Sequence, residues 1–152
     1  MAQDRPVLLA RPHPFIVAEM RPLLERLGYA PTPAAFETLS AGAAASAAGA
    51  IISTAISSTI PQTAADVFEA LSRHAPAVPV VFAGLTDIAV ARTVIERLAQ
   101  AGGLTVLGIA EAARDVGRLG RSGVVVYVAK DDITAADGAE TVGRVLKTHF
   151  RG

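Results

Sequence analysis

The chain of 152 residues reads as an α/β domain with a mainly parallel sheet of five or six strands. Short runs rich in Val, Ile and Leu alternate with helical patterns across brief connections, the sequence form of repeated strand–helix–strand units. Several of those runs are apolar at every position rather than at alternate ones. That suits strands covered on both faces, as does the mean hydropathy of +0.42.

The first run, residues 6–10 (PVLLA), predicts a strand. After Pro14, residues Ile16, Met20, Leu23 and Leu27 recur at helical spacing, and Gly28 ends that pattern. Pro22 inside it predicts a kink or a first-turn restart. Residues 30–36 (APTPAAF) predict a second, weaker strand, whose Pro31 and Pro33 place it at a sheet edge. A small-residue helix over 39–49 and a strand over 50–54 (AIIST) follow, then a helix over 63–75 and a strand over 78–84 (VPVVFAG). The helix predicted over 86–103 has Thr86 or Asp87 as its cap, Ile88, Ala91, Ile95 and Leu98 on one face, and Gly102–Gly103 at its close. Beyond it the pattern gives a strand over 104–110, a helix over 111–123, a strand over 124–129 and a helix over 134–150. No repeat, linker or low-complexity tail interrupts this order, so a single domain over 1–152 is expected, with no separate output domain.

The bulk composition removes several classes of function. Fourteen basic and fourteen acidic residues cancel, giving no support for non-specific binding to nucleic acid or to an anionic membrane. With no cysteine, disulfides, thiol catalysis and cysteine metal sites are excluded. Residues 38–65 carry no charge, a length able to span a bilayer. They are mostly Ala, Gly, Ser and Thr and include Pro61 and Gln62, so a small-residue helix and a buried strand are expected there rather than a membrane span. The N-terminus has no apolar stretch long enough for an export signal, and a cytoplasmic protein is expected.

The segments 7–29 (VLLARPHPFIVAEMRPLLERLGY), 49–61 (GAIISTAISSTIP) and 123–146 (GVVVYVAKDDITAADGAETVGRVL) together resemble the receiver (CheY-like) domain of bacterial two-component response regulators. The first is similar to the family's opening strand, acidic loop and helix, the second to its third strand and phospho-acceptor, the third to its last strand, lysine and final helix. None is specific alone; their order and spacing carry the likeness, and the middle is longer than a usual receiver by about one strand–helix unit. The resemblance implies a flavodoxin-like, three-layer sandwich. It also implies a phosphorylation site in which a carboxylate pair holds magnesium and a third carboxylate accepts phosphate.

At those positions this chain departs from the family. Arg11 and Pro12 stand in place of the metal-binding pair, and Thr54 or Ser57, depending on register, in place of the acceptor. Ala83 or Gly84 stands where a hydroxyl residue is usual, and only Lys130 keeps the expected side chain. The resemblance therefore implies a degenerate receiver that binds no metal or cofactor and works by protein–protein recognition without phosphorylation. Its partner would be a signalling protein or a second copy of itself. Arg114, Arg118 and Arg121, at spacings of four and three, form a basic stripe on the helix predicted over 111–123 and are the candidate interaction surface.

A different class of function would use Arg11, Thr54 and Lys130 around an anion, as a small-ligand or nucleotide sensor. No acid, base and nucleophile converge, and no phosphate-loop, dinucleotide or hydrolase motif occurs, so catalysis is not expected. The remaining polar groups have plain expectations. Lys130, Asp131 and Asp132 read as a solvated loop, and Ser53, Thr54, Ser57, Ser58 and Thr59 as turn chemistry. His13 reads as a helix-start residue. His74 and His149 lie near helix ends, where a partial positive charge is favourable.

Overall fold

A computed structural model describes residues 5–11, 18, 20–33, 47–53, 67–69, 78–84, 105–120, 124–134 and 138–150. The apolar runs form strands β1 (Arg5–Arg11), β2 (Tyr29–Pro33), β3 (Gly49–Ser53), β4 (Val80–Gly84), β5 (Thr105–Gly108) and β6 (Val124–Ala129). They make one six-stranded sheet in the order β2-β1-β3-β4-β6-β5, and every ladder is parallel. The order β2-β1-β3-β4-β6 follows the flavodoxin-like arrangement, with β5 added outside β6. The extra strand–helix unit thus extends the sheet at one edge. At the other edge lies β2 with Pro31 and Pro33, as the missing proline N–H groups predict.

Burial explains the uniform apolar runs. Alternate residues of each strand face opposite layers. Val7, Leu9, Ile51, Val81, Ala83, Leu107, Val126 and Val128 join one core cluster with residues of helices α1 (Arg21–Arg26), α2 (Ile109–Arg114) and α4 (Gly138–His149). Their neighbours Leu8, Ile52, Val80, Phe82, Val106, Val125 and Tyr127 are also buried, and belong to the other face. There the Phe82 ring meets Phe68 of the helical turn at Val67–Glu69, with ring centres 5.5 Å apart. The fold is a three-layer α/β sandwich of flavodoxin type.

The short helix α1 starts with Pro22 in its first turn, where the lost N–H is one that the helix leaves unpaired anyway. The proline thus takes the first-turn position, one of the two expectations for it. Leu23 and Leu24 are buried, and Gly28, at φ 92°, ends the helix. In α4 the buried residues Val142, Val145, Leu146 and His149 recur at helical spacing. A Cβ on Gly143 would meet Leu27, which marks how closely α4 lies on the end of α1. Burying a leucine or valine in this layer stabilises the fold by about 1.5–3 kcal/mol each.

Several expected boundaries move. Ile109 and Ala110 belong to α2 rather than to β5. The helix expected over 111–123 is broken: α2 stops at Arg114, Asp115 leaves the helical region at φ −137° and ψ 61°, and a 3-10 turn spans Val116–Arg118. Gly117 and Gly120 explain the break, because glycine loses more conformational freedom in a helix than any other residue. Of the helix expected over 134–150 the structure describes α4 from Gly138, and Thr134 belongs to a helix that starts earlier, α3 (Lys130–Thr134); residues 135–137 lie outside the described residues. The helices expected over 39–49, 63–75 and 86–103 lie wholly or mostly outside the described residues. Among the described residues no helix is long and apolar enough to cross a membrane.

Candidate functional site at the carboxyl edge of the sheet

Because all the strands are parallel, their carboxyl ends share one edge, where ligand and switch sites of α/β sheets gather. The register fixes which ends are neighbours. Arg11 pairs with Ile52 after an irregularity following Leu9, Ser53 pairs with Ala83, and Gly84 pairs with Ala129. The strand ends Arg11, Ser53, Gly84 and Ala129–Lys130 therefore form one row across β1, β3, β4 and β6. Of the residues expected at a receiver-like site, Arg11 is placed by its backbone alone, Gly84 closes β4, and Lys130 opens α3. Pro12, Thr54 and Ser57 lie outside the described residues, as do His13 and His74. Ser53, immediately before Thr54, is fully buried.

Lys130, Asp131 and Asp132 are not a solvated loop. They form the first turn of α3, which follows β6 with no intervening residue. Lys130 and Asp131 are exposed, whereas Asp132 is partly buried and its Oδ2 accepts the Ala129 N–H at 2.8 Å. This is half of a capping box: the acid at the third helical position satisfies the N–H of the residue before the helix. Burial raises the Asp132 pKa above the ordinary carboxylate value, the Ala129 N–H opposes that rise, and the charge of Asp131 adds to it. The same device recurs one strand further out, where Glu111 Oε1 accepts the Gly108 N–H at 3.1 Å as β5 runs into α2. So Asp132 and Glu111 each fasten a strand end to the helix that follows it. Among the described residues no group of three or more acids or histidines is placed to hold a metal.

The arginine stripe is not one helical face. Arg114 ends α2 and Arg118 ends the 3-10 turn, both exposed, while Arg121 lies outside the described residues. Arg118 pairs with Asp115 at 3.8 Å with both side chains about half exposed, a contact worth up to about 1 kcal/mol. Between them Val116 is 43 % exposed, the large apolar residue most open to solvent among those described.

At the opposite, amino edge of the sheet the structure shows a polar residue whose setting differs from the sequence expectation. His149 is not a solvated helix-end cation: it is 1 % exposed. Its Nδ1 accepts the Gly120 N–H at 3.0 Å, and its Nε2 lies 3.1 Å from the Val80 carbonyl oxygen. An accepting Nδ1 carries no proton, so Nε2–H is the donor to Val80 and the ring is neutral. Burial lowers its pKa, opposed by the Val80 carbonyl. The signal for burial was present in the spacing, since residues 142, 145, 146 and 149 share one helix face.

No protein-family model, curated protein or solved structure matches the chain.

Proposed function

We propose that this chain is an atypical, receiver-like signalling domain that works through protein–protein recognition and without phosphorylation. The observation that supports this most directly is the row of strand ends. On a sheet of flavodoxin-like order, β1 ends in Arg11 and β3 in Ser53, with Thr54 next in sequence, where the resemblance to receivers calls for carboxylates. Phosphoryl transfer onto a receiver needs a carboxylate nucleophile and oxygen ligands for a hard divalent cation. A guanidinium and a hydroxyl supply neither. Lys130 follows β6, and β6 lies beside β4, so the one retained side chain belongs to the same row.

The interaction surface in this reading is the segment Arg114–Arg118, which joins the edge unit of β5 and α2 to β6. It presents Arg114, Val116 and Arg118 to solvent, an apolar residue between cations, suited to an acidic partner face. The partner is another bacterial cytoplasmic signalling protein or a second copy of the chain.

Amide NMR tests the reading. Titration with magnesium and then beryllofluoride, a phosphoryl mimic, leaves Ser53, Gly84, Ala129 and Lys130 unmoved if the switch is absent. Saturable shifts at those amides overturn it. Saturable shifts there with inorganic phosphate alone instead support an anion sensor built on Arg11, Thr54 and Lys130. Affinity capture from cell lysate with the wild type and with a R114E/R118E variant then tests the surface, and equal capture by both removes it from consideration.

A further inference from the structure

We propose that His149 is a proton-operated latch. Neutral, it ties the end of α4 both to the start of β4 and to the turn at Gly120; protonated at Nδ1, it releases that turn.

The geometry sets the direction of the switch. Nδ1 is an acceptor toward Gly120 and Nε2–H a donor toward Val80. A proton added to Nδ1 faces the Gly120 N–H donor to donor, so the bond is lost while the bond to Val80 survives. Among the described residues, the groups that meet the ring are the Val80 carbonyl of β4, the Gly120 N–H of the turn and the ring of Phe150, centred 6.1 Å away. None carries a charge, so none compensates a buried imidazolium. The negative end of the α4 dipole favours the charged ring, but at 1 % exposure the loss of hydration outweighs it, in line with the lowered pKa.

The turn is held at two points, by Leu119 in the core cluster with Val142, Val145 and Leu146 and by this bond at Gly120. Gly120 has φ 76°, a conformation that L side chains rarely adopt, and it closes the segment in which Arg118 N–H bonds to Asp115 O and Leu119 N–H to Val116 O, each at 3.1 Å. That segment carries Val116 and Arg118, so the latch controls how firmly this face is held against α4. The bond to Val80 falls one residue before the β4–β6 register begins at Val81, which leaves β4 anchored when the turn is freed.

The test reads the isolated chain and needs no partner. Long-range nitrogen–proton NMR of the imidazole is followed from pH 8 downward, together with the amides of Gly120 and Val116–Leu119. The expected result is an Nε2–H tautomer at high pH and a titration below the ordinary imidazole value of about 6.5. The Gly120 amide shifts with the same midpoint and loses its exchange protection. In H149N, whose side-chain oxygen takes the place of Nδ1 but does not titrate, that midpoint disappears from Gly120. A His149 that titrates at or above the ordinary value, an Nδ1–H tautomer, or a Gly120 amide that keeps its midpoint in H149N overturns the proposal. Should H149N not fold, the wild-type tautomer and the shared midpoint decide the matter alone.

Discussion

The two edges of the sheet are finished in different ways. At the amino edge, two consecutive residues at the end of α4 meet the starts of several strands. Phe150 stands edge-on to Tyr29 of β2 at 5.6 Å and 88°, and it covers Gly49 of β3. His149 reaches the start of β4 and the turn that leads toward β6. At the carboxyl edge Ser53, Gly84 and Ala129 are buried as well, but the fastenings there are short-range. There two ends, Gly108 and Ala129, are each fastened by an acid three residues further on. One edge is closed by long-range packing between residues far apart in sequence, the other by local bonds between a strand end and the helix that follows it.

The sharpest way to break the amino edge is to fill the space that lets it close. A Cβ on Gly49 would fall within the Phe150 ring, which is itself 3 % exposed and pressed against Tyr29. Gly49→Ala therefore forces the ring out of place, at a cost of about 1–3 kcal/mol, the usual range for overpacking. Urea unfolding measures it. Adding Phe150→Leu to Gly49→Ala recovers part of the loss, because the smaller side chain vacates the contested volume. Strictly additive losses in that cycle would show that the alanine is accommodated elsewhere.

Gly120→Ala strikes the same edge less hard. At φ 76° an alanine costs about 1–2 kcal/mol relative to glycine, and its Cβ would also come within 3.4 Å of the His149 carbonyl oxygen. Asparagine tolerates the left-handed region better, so Gly120→Asn should unfold at a denaturant concentration between those of the wild type and the alanine variant. Equal midpoints for alanine and glycine would mean that the turn relaxes to another backbone conformation and that His149 does not need this one.

These contacts were unevenly legible in the sequence. The central strands were plain, because GAIIS, VVFAG and VVVYVA are apolar enough to be buried on both faces, and Pro31 and Pro33 marked the edge strand. Strand order was not, since β5 and β6 are similar short runs and only the packing of distant helices decides which lies beside β4. The spacing of Arg114, Arg118 and Arg121 suggested one helix, but Gly117 and Gly120 interrupt it, and Val116, which a continuous helix would place on the face of Ile109 and Ala112, is exposed. At the carboxyl edge the strand ends Arg11, Gly84 and Lys130 could be read from the apolar runs before them. The helix that starts at Lys130 could have been found from Asp132, an acid at the third position of a helix. His149 shared a face with Val142, Val145 and Leu146, yet its type suggested solvent, and only the long-range partners Gly120 and Val80 explain why it is inside.

Asp132 offers the gentlest test and one of opposite sign. His149 has its folded pKa lowered, so its contribution to stability is complete above the unfolded value of about 6.5 and is lost as the pH falls below it. Asp132 has its folded pKa raised by burial. Its contribution is complete below the unfolded carboxylate value of about 3.9 and declines as the pH rises through the folded value. Asp132→Asn keeps an oxygen for the Ala129 N–H and removes the charge, so its unfolding midpoint at neutral pH should match or exceed that of the wild type, without the decline between acid and neutral pH. Asp132→Ala loses the acceptor as well and should fall by about 0.5–1.5 kcal/mol. If the asparagine variant were as unstable as the alanine one at neutral pH, the negative charge rather than the hydrogen bond would be what fastens β6 to α3. The carboxyl edge would then be held by electrostatics, and the contrast with the packed amino edge would be larger still.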